Sequence, residues 1–119
     1  MEKYTFFSDE EIACKCGCGT MVITPLHFFR MNLLRTYLKK PIEITSWCRC
    51  DKHNLEVGGK PDSSHLIFVA SDISCSTSMY RNKIIYFAGM IGFNGIGIGK
   101  TFIHLDSNIS KGLYRFWKY

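Results

Sequence analysis

Two histidines and an aspartate carry the first chemical signal: His65 and Asp72 lie seven residues apart, and His104 follows Asp72 by 32 positions. Two imidazoles and one carboxylate form the donor set of a catalytic zinc site, in which three protein ligands leave the fourth position to water. The metal brings the pKa of that water to about 7 and polarises a carbonyl, which is what amide hydrolysis needs. Six cysteines make a second constellation. Cys14, Cys16 and Cys18 alternate with other residues, Cys48 and Cys50 flank Arg49, and Cys75 stands apart. Thiols clustered in a chain without an export signal more often bind metal or stay free than pair. Each close pair, however, has one intervening residue where the usual zinc knuckle has two. A structural zinc between the clusters, disulfide pairing and plain buried thiols therefore all stay open. A third pattern, Gly95-Ile96-Gly97-Ile98-Gly99-Lys100-Thr101, ends like a phosphate-binding loop. That motif needs a glycine where Asn94 stands and a helix where the β-like Phe102-Ile103-His104-Leu105 follows, so the segment reads as a glycine-rich hairpin.

The elements that must position these residues are legible in outline. Ser8 followed by Glu11 has the pattern of a capping box and predicts a short first helix or turn. Thr24 as cap and Pro25 at the first helical position open the clearest helix, with Leu26, Phe29, Leu33, Leu34 and Leu38 at helical spacing and Pro41 beyond its end. His27 in this helix reads as a partly exposed side chain, not a ligand. Residues 41–46 alternate in character and predict a strand that delivers residues 47–50 at its end. A loop rich in Gly58, Gly59, Pro61 and Asp62 follows, then an apolar run from Leu66 to Ile73 predicts a second, more buried strand. Residues 76–90 are compatible with a second long helix through Met79, Ile84, Phe87 and Ala88, and residues 93–106 with a β-hairpin. Mixed elements with short connections predict an α+β fold, a small antiparallel sheet backed by helices.

Composition bounds the rest. The 119 residues are 46% hydrophobic and 21% charged, which predicts one folded domain spanning residues 1–119 and excludes a disordered chain or separate cofactor and substrate modules. Fifteen Lys and Arg against ten Asp and Glu give +5, but only Lys39 and Lys40 are adjacent, so the charge is too dispersed for a dedicated nucleic-acid binder and no nucleic-acid partner is expected. No apolar run approaches the roughly 18 residues of a membrane span. The start, Met1-Glu2-Lys3-Tyr4, lacks the basic and apolar regions of a secretory signal, and the expectation is a monomer that is cytoplasmic as synthesised.

The segment Ser63-x-His65-x-x-Phe68-x-Ala70-x-Asp72 resembles the Ser-x-His-x-x-Gly-x-Ala-x-Asp signature of zinc D-alanyl-D-alanine carboxypeptidases, a group that includes phage endolysin peptidases and shares its fold with the hedgehog signalling domain. Residues 44–50, His53-Asn54 and Val57-Gly58-Gly59 are similar to the segment leading into that signature, and His104-Leu105-Asp106 to its third-ligand segment. The ending, residues 115–119, is similar to small single-domain members, so the resemblance covers nearly the whole chain. It implies that His65, Asp72 and His104 bind Zn2+, that Arg49 holds a substrate carboxylate or carbonyl, and that Ser63 lies near the substrate or supports His65. A guanidinium suits that work because it grips a carboxylate with two parallel hydrogen bonds.

Two departures stand out. Phe68 replaces the signature glycine, which puts the shape of the pocket in question. Gly99 and Thr101 also stand where many relatives carry an acid or histidine before the last ligand. Asp106 should share a strand face with His104, about 6.6 Å along the chain, and becomes the candidate to take a proton from the zinc water or, equally, to orient a ligand. His53 is a weaker candidate base. The resemblance thus implies a zinc metallopeptidase acting on peptidoglycan stem peptides, of phage or prophage type. The alternatives are a non-catalytic wall-binding relative that keeps its zinc and a cysteine-rich zinc module for nucleic acid. On the metallopeptidase reading the cysteines become scaffolding around Arg49.

Overall fold

The computed structural model of the protein describes residues 6–119. Its elements run α1 (Asp9–Ile12), α2 (Pro25–Leu38), β1 (Ile44–Ser46), α3 (Asp51–Glu56), a 3-10 turn (Ser64–Ile67), β2 (Ala70–Ser74), α4 (Ser78–Ile91), β3 (Gly95–Ile98), β4 (Phe102–Asp106), a second 3-10 turn (Ile109–Lys111) and β5 (Arg115–Lys118). The class is α+β, with one five-stranded sheet in the order β1-β2-β4-β3-β5. Three pairings are antiparallel, but β5 lies parallel to β3, so the expected wholly antiparallel sheet is corrected at one edge. The cause is connectivity. β3 and β4 form a hairpin, and a chain that reverses again after β4 and passes to the far side of β3 must run in the direction of β3.

Local signals explain the elements near the site. Ser8 and Glu11 form the reciprocal capping box, with Ser8 Oγ accepting from Glu11 N at 3.2 Å and Glu11 Oε1 accepting from Ser8 N at 2.8 Å. Thr24 occupies the cap of α2, but its side chain makes no capping bond, and the fixed φ of Pro25 starts the helix without one. The apolar stripe of α2 is rotated from the expected one: His27, Met31, Leu34 and Leu38 are buried, whereas Leu26 and Phe29 are exposed. His27 is thus a core residue, not a partly exposed one. Its Nδ1 lies 2.9 Å from Ser107 Oγ and its Nε2 2.9 Å from Ser71 Oγ, and these two hydroxyls make an imidazole acceptable in an apolar interior.

Residues 51–56, read as loop from sequence, form α3, whose cap is Cys50: its sulfur accepts from His53 N at 3.4 Å, outside the usual Ser, Thr, Asp or Asn signature. The predicted strand from Leu66 to Ile73 is also corrected. Its first half is the 3-10 turn, closed by Phe68 in the left-handed region at φ 66, and only Ala70–Ser74 joins the sheet. A continuous apolar run does not distinguish a strand from a buried turn leading into one. The core lies between the sheet and the two long helices, with Met31 and Leu34, Ile84 and Ala88 facing Ile73, Ile103 and Leu105 beside Trp47. Full burial of each large apolar side chain contributes about 1.5–3 kcal/mol on transfer scales. Among the described residues no helix is long and apolar enough to cross a membrane.

Candidate active site

Strand register converts distant sequence positions into neighbours. Asp72 on β2 pairs directly with His104 on β4, His104 with Gly97 on β3, and Gly97 with Trp117 on β5. One row along, Ala70, Asp106, Gly95 and Arg115 are aligned in the same way. Both rows share the face opposite the core residues Ile73, Ile103 and Leu105, because side chains alternate along a strand. The small residues in these rows make room for the large ones. A Cβ at Gly95 would overlap the Asp106 carboxylate and the Arg115 guanidinium, so glycine there permits that ion pair to form across the strand. The glycine-rich hairpin is thus a passage for side chains on a sheet.

The 3-10 turn brings His65 to the same place. Ser63 caps it, its Oγ accepting from His65 N at 3.2 Å. Phe68 closes it, and a left-handed residue at that position accounts for a glycine in the signature. The Phe68 ring packs against the core and does not line the cleft, which corrects the expectation that it would alter the pocket.

The donor atoms of His65, Asp72 and His104 lie within 4.8 Å of one another. Asp72 Oδ1 is 3.3 Å from His65 Nε2 and 3.1 Å from His104 Nδ1. The outward nitrogens are committed elsewhere: His65 Nδ1 donates to Trp47 O at 2.8 Å and His104 Nε2 to Asp106 Oδ2 at 2.9 Å. Those partners occupy the outward nitrogens, so that Nε2 of His65 and Nδ1 of His104 point at Asp72 and are the atoms a borderline-soft divalent cation would draw on. Burial would raise the Asp72 carboxyl, but hydrogen bonds from His104 and His65 overcome it and hold it well below the carboxylate range. Burial likewise pulls His104 down, and Asp106 and Asp72 on its two nitrogens outweigh that and raise it. The residues therefore form a pocket of stabilised negative charge around two imidazoles, and the set fits zinc.

Asp106 is almost fully buried. Its Oδ2 accepts from His104, and its Oδ1 accepts from Asn108 N at 3.1 Å and from Arg115 Nη2. Burial works to raise its pKa; the His104 and Asn108 bonds and the Arg115 charge lower it nonetheless. Arg49 stands on the other side of Asp72, with Nη2 3.9 Å from Oδ2. Nη1 donates to Asn54 Oδ1 at 2.9 Å and Nη2 to Ser46 Oγ at 3.0 Å, while Nε is buried without a partner among the described residues. Gly59 permits this arrangement, since a Cβ there would overlap Asn54 and the guanidinium. Burial pulls the Arg49 pKa down, and Asp72 opposes the shift.

These groups open into a cleft of about 600 Å3 lined also by Lys60, Trp117 and Tyr119. Sequence reasoning gave no site role to Tyr119, Trp117 or Arg115; alternation within residues 115–118 was the available signal, and β5 was too short to be read from it. His53 is not part of the lining and faces Glu56, with Nδ1 3.7 Å from Oε1.

Over residues 5–106 the chain matches the Peptidase M15 family, and it belongs to that family. Its members are zinc-dependent metallopeptidases, so the cleft is the candidate active site of a peptide hydrolase. No curated protein matches the chain.

Proposed function

We propose that the protein hydrolyses amide bonds in peptidoglycan stem peptides, at or next to D-alanine, as a lysis-type enzyme of phage or prophage origin acting on the bacterial cell wall. The observation that carries this reading is the convergence of His65, Asp72 and His104 in a cleft that also presents the Arg49 guanidinium, with its Nε unpartnered. These three side chains hold the metal. When bound, zinc supplies Lewis acidity toward a scissile carbonyl and lowers the pKa of a water ligand to about 7.

The chain's own residues supply the rest. Arg49, fixed by Asn54 and Ser46, grips the carboxylate or carbonyl on the C-terminal side of the substrate and leaves its length free to orient the peptide across the cleft. Ser63 keeps the His65 turn in place through its bond to the backbone. Of the two roles open to Asp106 we assign the orienting one: both carboxylate oxygens are engaged, and their work is to hold the His104 proton on Nε2 so that Nδ1 faces the metal. Tyr119, at the mouth of the cleft, offers a phenol to a developing oxyanion. The lining carries four cationic side chains, Arg49, Lys60, Lys111 and Arg115, against the carboxylates of Asp62, Asp72 and Asp106, a balance that a bound divalent cation would tip toward stem peptides with their free carboxylates.

Purified stem peptides incubated with zinc-loaded protein and followed by mass spectrometry test the reading. Release of D-alanine or of a shortened peptide is expected. No cleavage at high protein concentration, with retained binding to wall fragments, would replace it by the non-catalytic wall-binding reading, for which the full engagement of Asp106 is the favouring observation.

A further inference from the structure

We propose that Cys14, Cys16, Cys18 and Cys50 bind a second zinc ion, apart from the cleft, whose role is to clamp the segment that carries Arg49. This does not depend on the activity proposed above. The four sulfur atoms lie within 4.8 Å of one another. Cys14 Sγ is 3.6 Å from Cys16 Sγ and 3.8 Å from Cys50 Sγ, and Cys16 Sγ is 3.7 Å from Cys50 Sγ. A tetrahedron of thiolates about 2.3 Å from zinc has sulfur–sulfur edges of about 3.8 Å, so three of the contacts already match the polyhedron. A disulfide is a pair about 2.05 Å apart, and one sulfur cannot bond two partners at once; a triangle of near-equal separations is the geometry of ligands, not of a cross-link.

The surroundings fit thiolates. Cys50 N donates to Cys14 Sγ at 3.4 Å, and His53 N donates to Cys50 Sγ at 3.4 Å, two backbone donors of the kind that support metal-bound sulfur. The alternating spacing that disqualified an ordinary zinc knuckle is met by the backbone: Gly17 and Gly19 both take positive φ, at 84° and 87°, in the loop whose three cysteines lie with their sulfurs near one another. Four thiols with no open position describe a structural site; the cleft's three donors describe a catalytic one. Cys48 and Cys75 stand outside the cluster as buried thiols, Cys48 Sγ accepting from Val22 N at 3.5 Å.

What the cluster holds is functional. From Trp47 to Cys50 each residue is tied to something else: Trp47 O receives His65 Nδ1, Cys48 N donates to Ile12 O at 3.0 Å, Arg49 N donates to His65 O at 3.2 Å, and Cys50 enters the cluster. The segment thus runs from Trp47, which holds the cleft residue His65, to Cys50 of the cluster, with Arg49 between them. On binding zinc the four thiols release their protons to solvent, and that binding free energy adds to folding free energy.

Zinc content of reduced protein purified without chelator, combined with X-ray absorption at the zinc edge, provides the test. Wild-type protein is expected to hold two zinc ions with a mixed sulfur and nitrogen/oxygen shell. A His65→Ala, His104→Ala double variant should keep one, with four sulfur ligands at about 2.3 Å. A Cys16→Ser, Cys18→Ser variant should lose the sulfur shell and keep the cleft zinc; if it fails to fold, the wild-type and histidine-variant spectra still decide. One zinc per wild-type chain without sulfur ligands, iron in the cluster, or a disulfide among the four cysteines in the reduced protein would overturn the proposal. One zinc ligated only by sulfur in both wild type and histidine variant would instead overturn the cleft reading and leave this one standing.

Discussion

The cleft and the cysteine cluster gather metal-binding side chains by opposite means. In the cleft the donors come from a sheet register and a capped turn, each imidazole is held by a second partner, and the site opens into a space large enough for a peptide. In the cluster they come from two loops, and the sulfurs lie against one another away from the residues that line the cleft. Three donors, two on neighbouring strands and one on a capped turn, leave a coordination position for chemistry; four thiols from two loops would enclose an ion and fasten the loops together. The difference teaches that the geometry around a ligand-rich cluster, open on one side or closed by four donors, is what suits it to act as a reagent or as a fastener.

The largest test of that contrast removes the cleft ligands. Substituting both His65 and His104 by alanine is expected to reduce hydrolysis of stem peptides to the uncatalysed level while the far-ultraviolet circular dichroism spectrum stays that of the wild type. Loss of the fold instead would mean that the cleft, too, is a fastener. Removal of the cluster thiols by Cys16→Ser, Cys18→Ser should show the opposite balance. A melting temperature lower by more than about 10 °C, with measurable turnover at low temperature, is expected by scanning calorimetry and assay.

Arg49 links the two regions, so it should respond to both. Arg49→Ala is expected to lower kcat/KM about 100-fold, mainly through KM, and Arg49→Lys to recover only part of it, because a lysine cannot supply the paired donors. An unchanged KM in both variants would remove Arg49 from substrate binding. Asp106→Asn discriminates more finely: it should weaken zinc in the cleft about 10–100-fold and leave the thiolate zinc untouched, as read by competition with a chelator.

The third buried histidine gives a pH-dependent test that touches neither metal-binding group. Burial holds His27 down to about 3, opposed in part by Asp106, so it is neutral in the fold and protonates readily only when unfolded. The stability it permits is complete above the ordinary value near 6.5 and is lost as pH falls from there toward 3, at about 1.4 kcal/mol per pH unit. Urea unfolding across that range should give a steeper decline for wild type than for His27→Gln; equal slopes would place the proton elsewhere.

Much of the site was legible because its chemistry is written in residue types. His65, Asp72 and His104 are the donor types that a hydrolytic zinc needs, and the resemblance to the carboxypeptidase signature singled out that set and added Arg49 as the substrate anchor. The capping box at Ser8 and Glu11 and the proline start of α2 were equally readable, since each is a local hydrogen-bond or dihedral constraint. The misreadings were failures of locality. His27 was misplaced because its serine partners lie 44 and 80 residues away. Phe68 looked like an obstacle because its backbone conformation, not its ring, decides what happens there. The strand β5 went unseen because its four residues gain meaning only beside β3.

By itself, then, the sequence determined which atoms this protein can offer to a metal and to a carboxylate, because ligand chemistry belongs to the side chain. Only the tertiary structure decided which of them meet. The pairing of Asp72 with His104 is a property of strand register, the use of Asp106 on His104 a property of the sheet face, and the gathering of Cys50 with three cysteines more than 30 residues earlier a property of loop curvature. The six thiols left zinc, disulfide and isolation all open in one dimension. Distance separates those options, and distance exists only once the chain has folded.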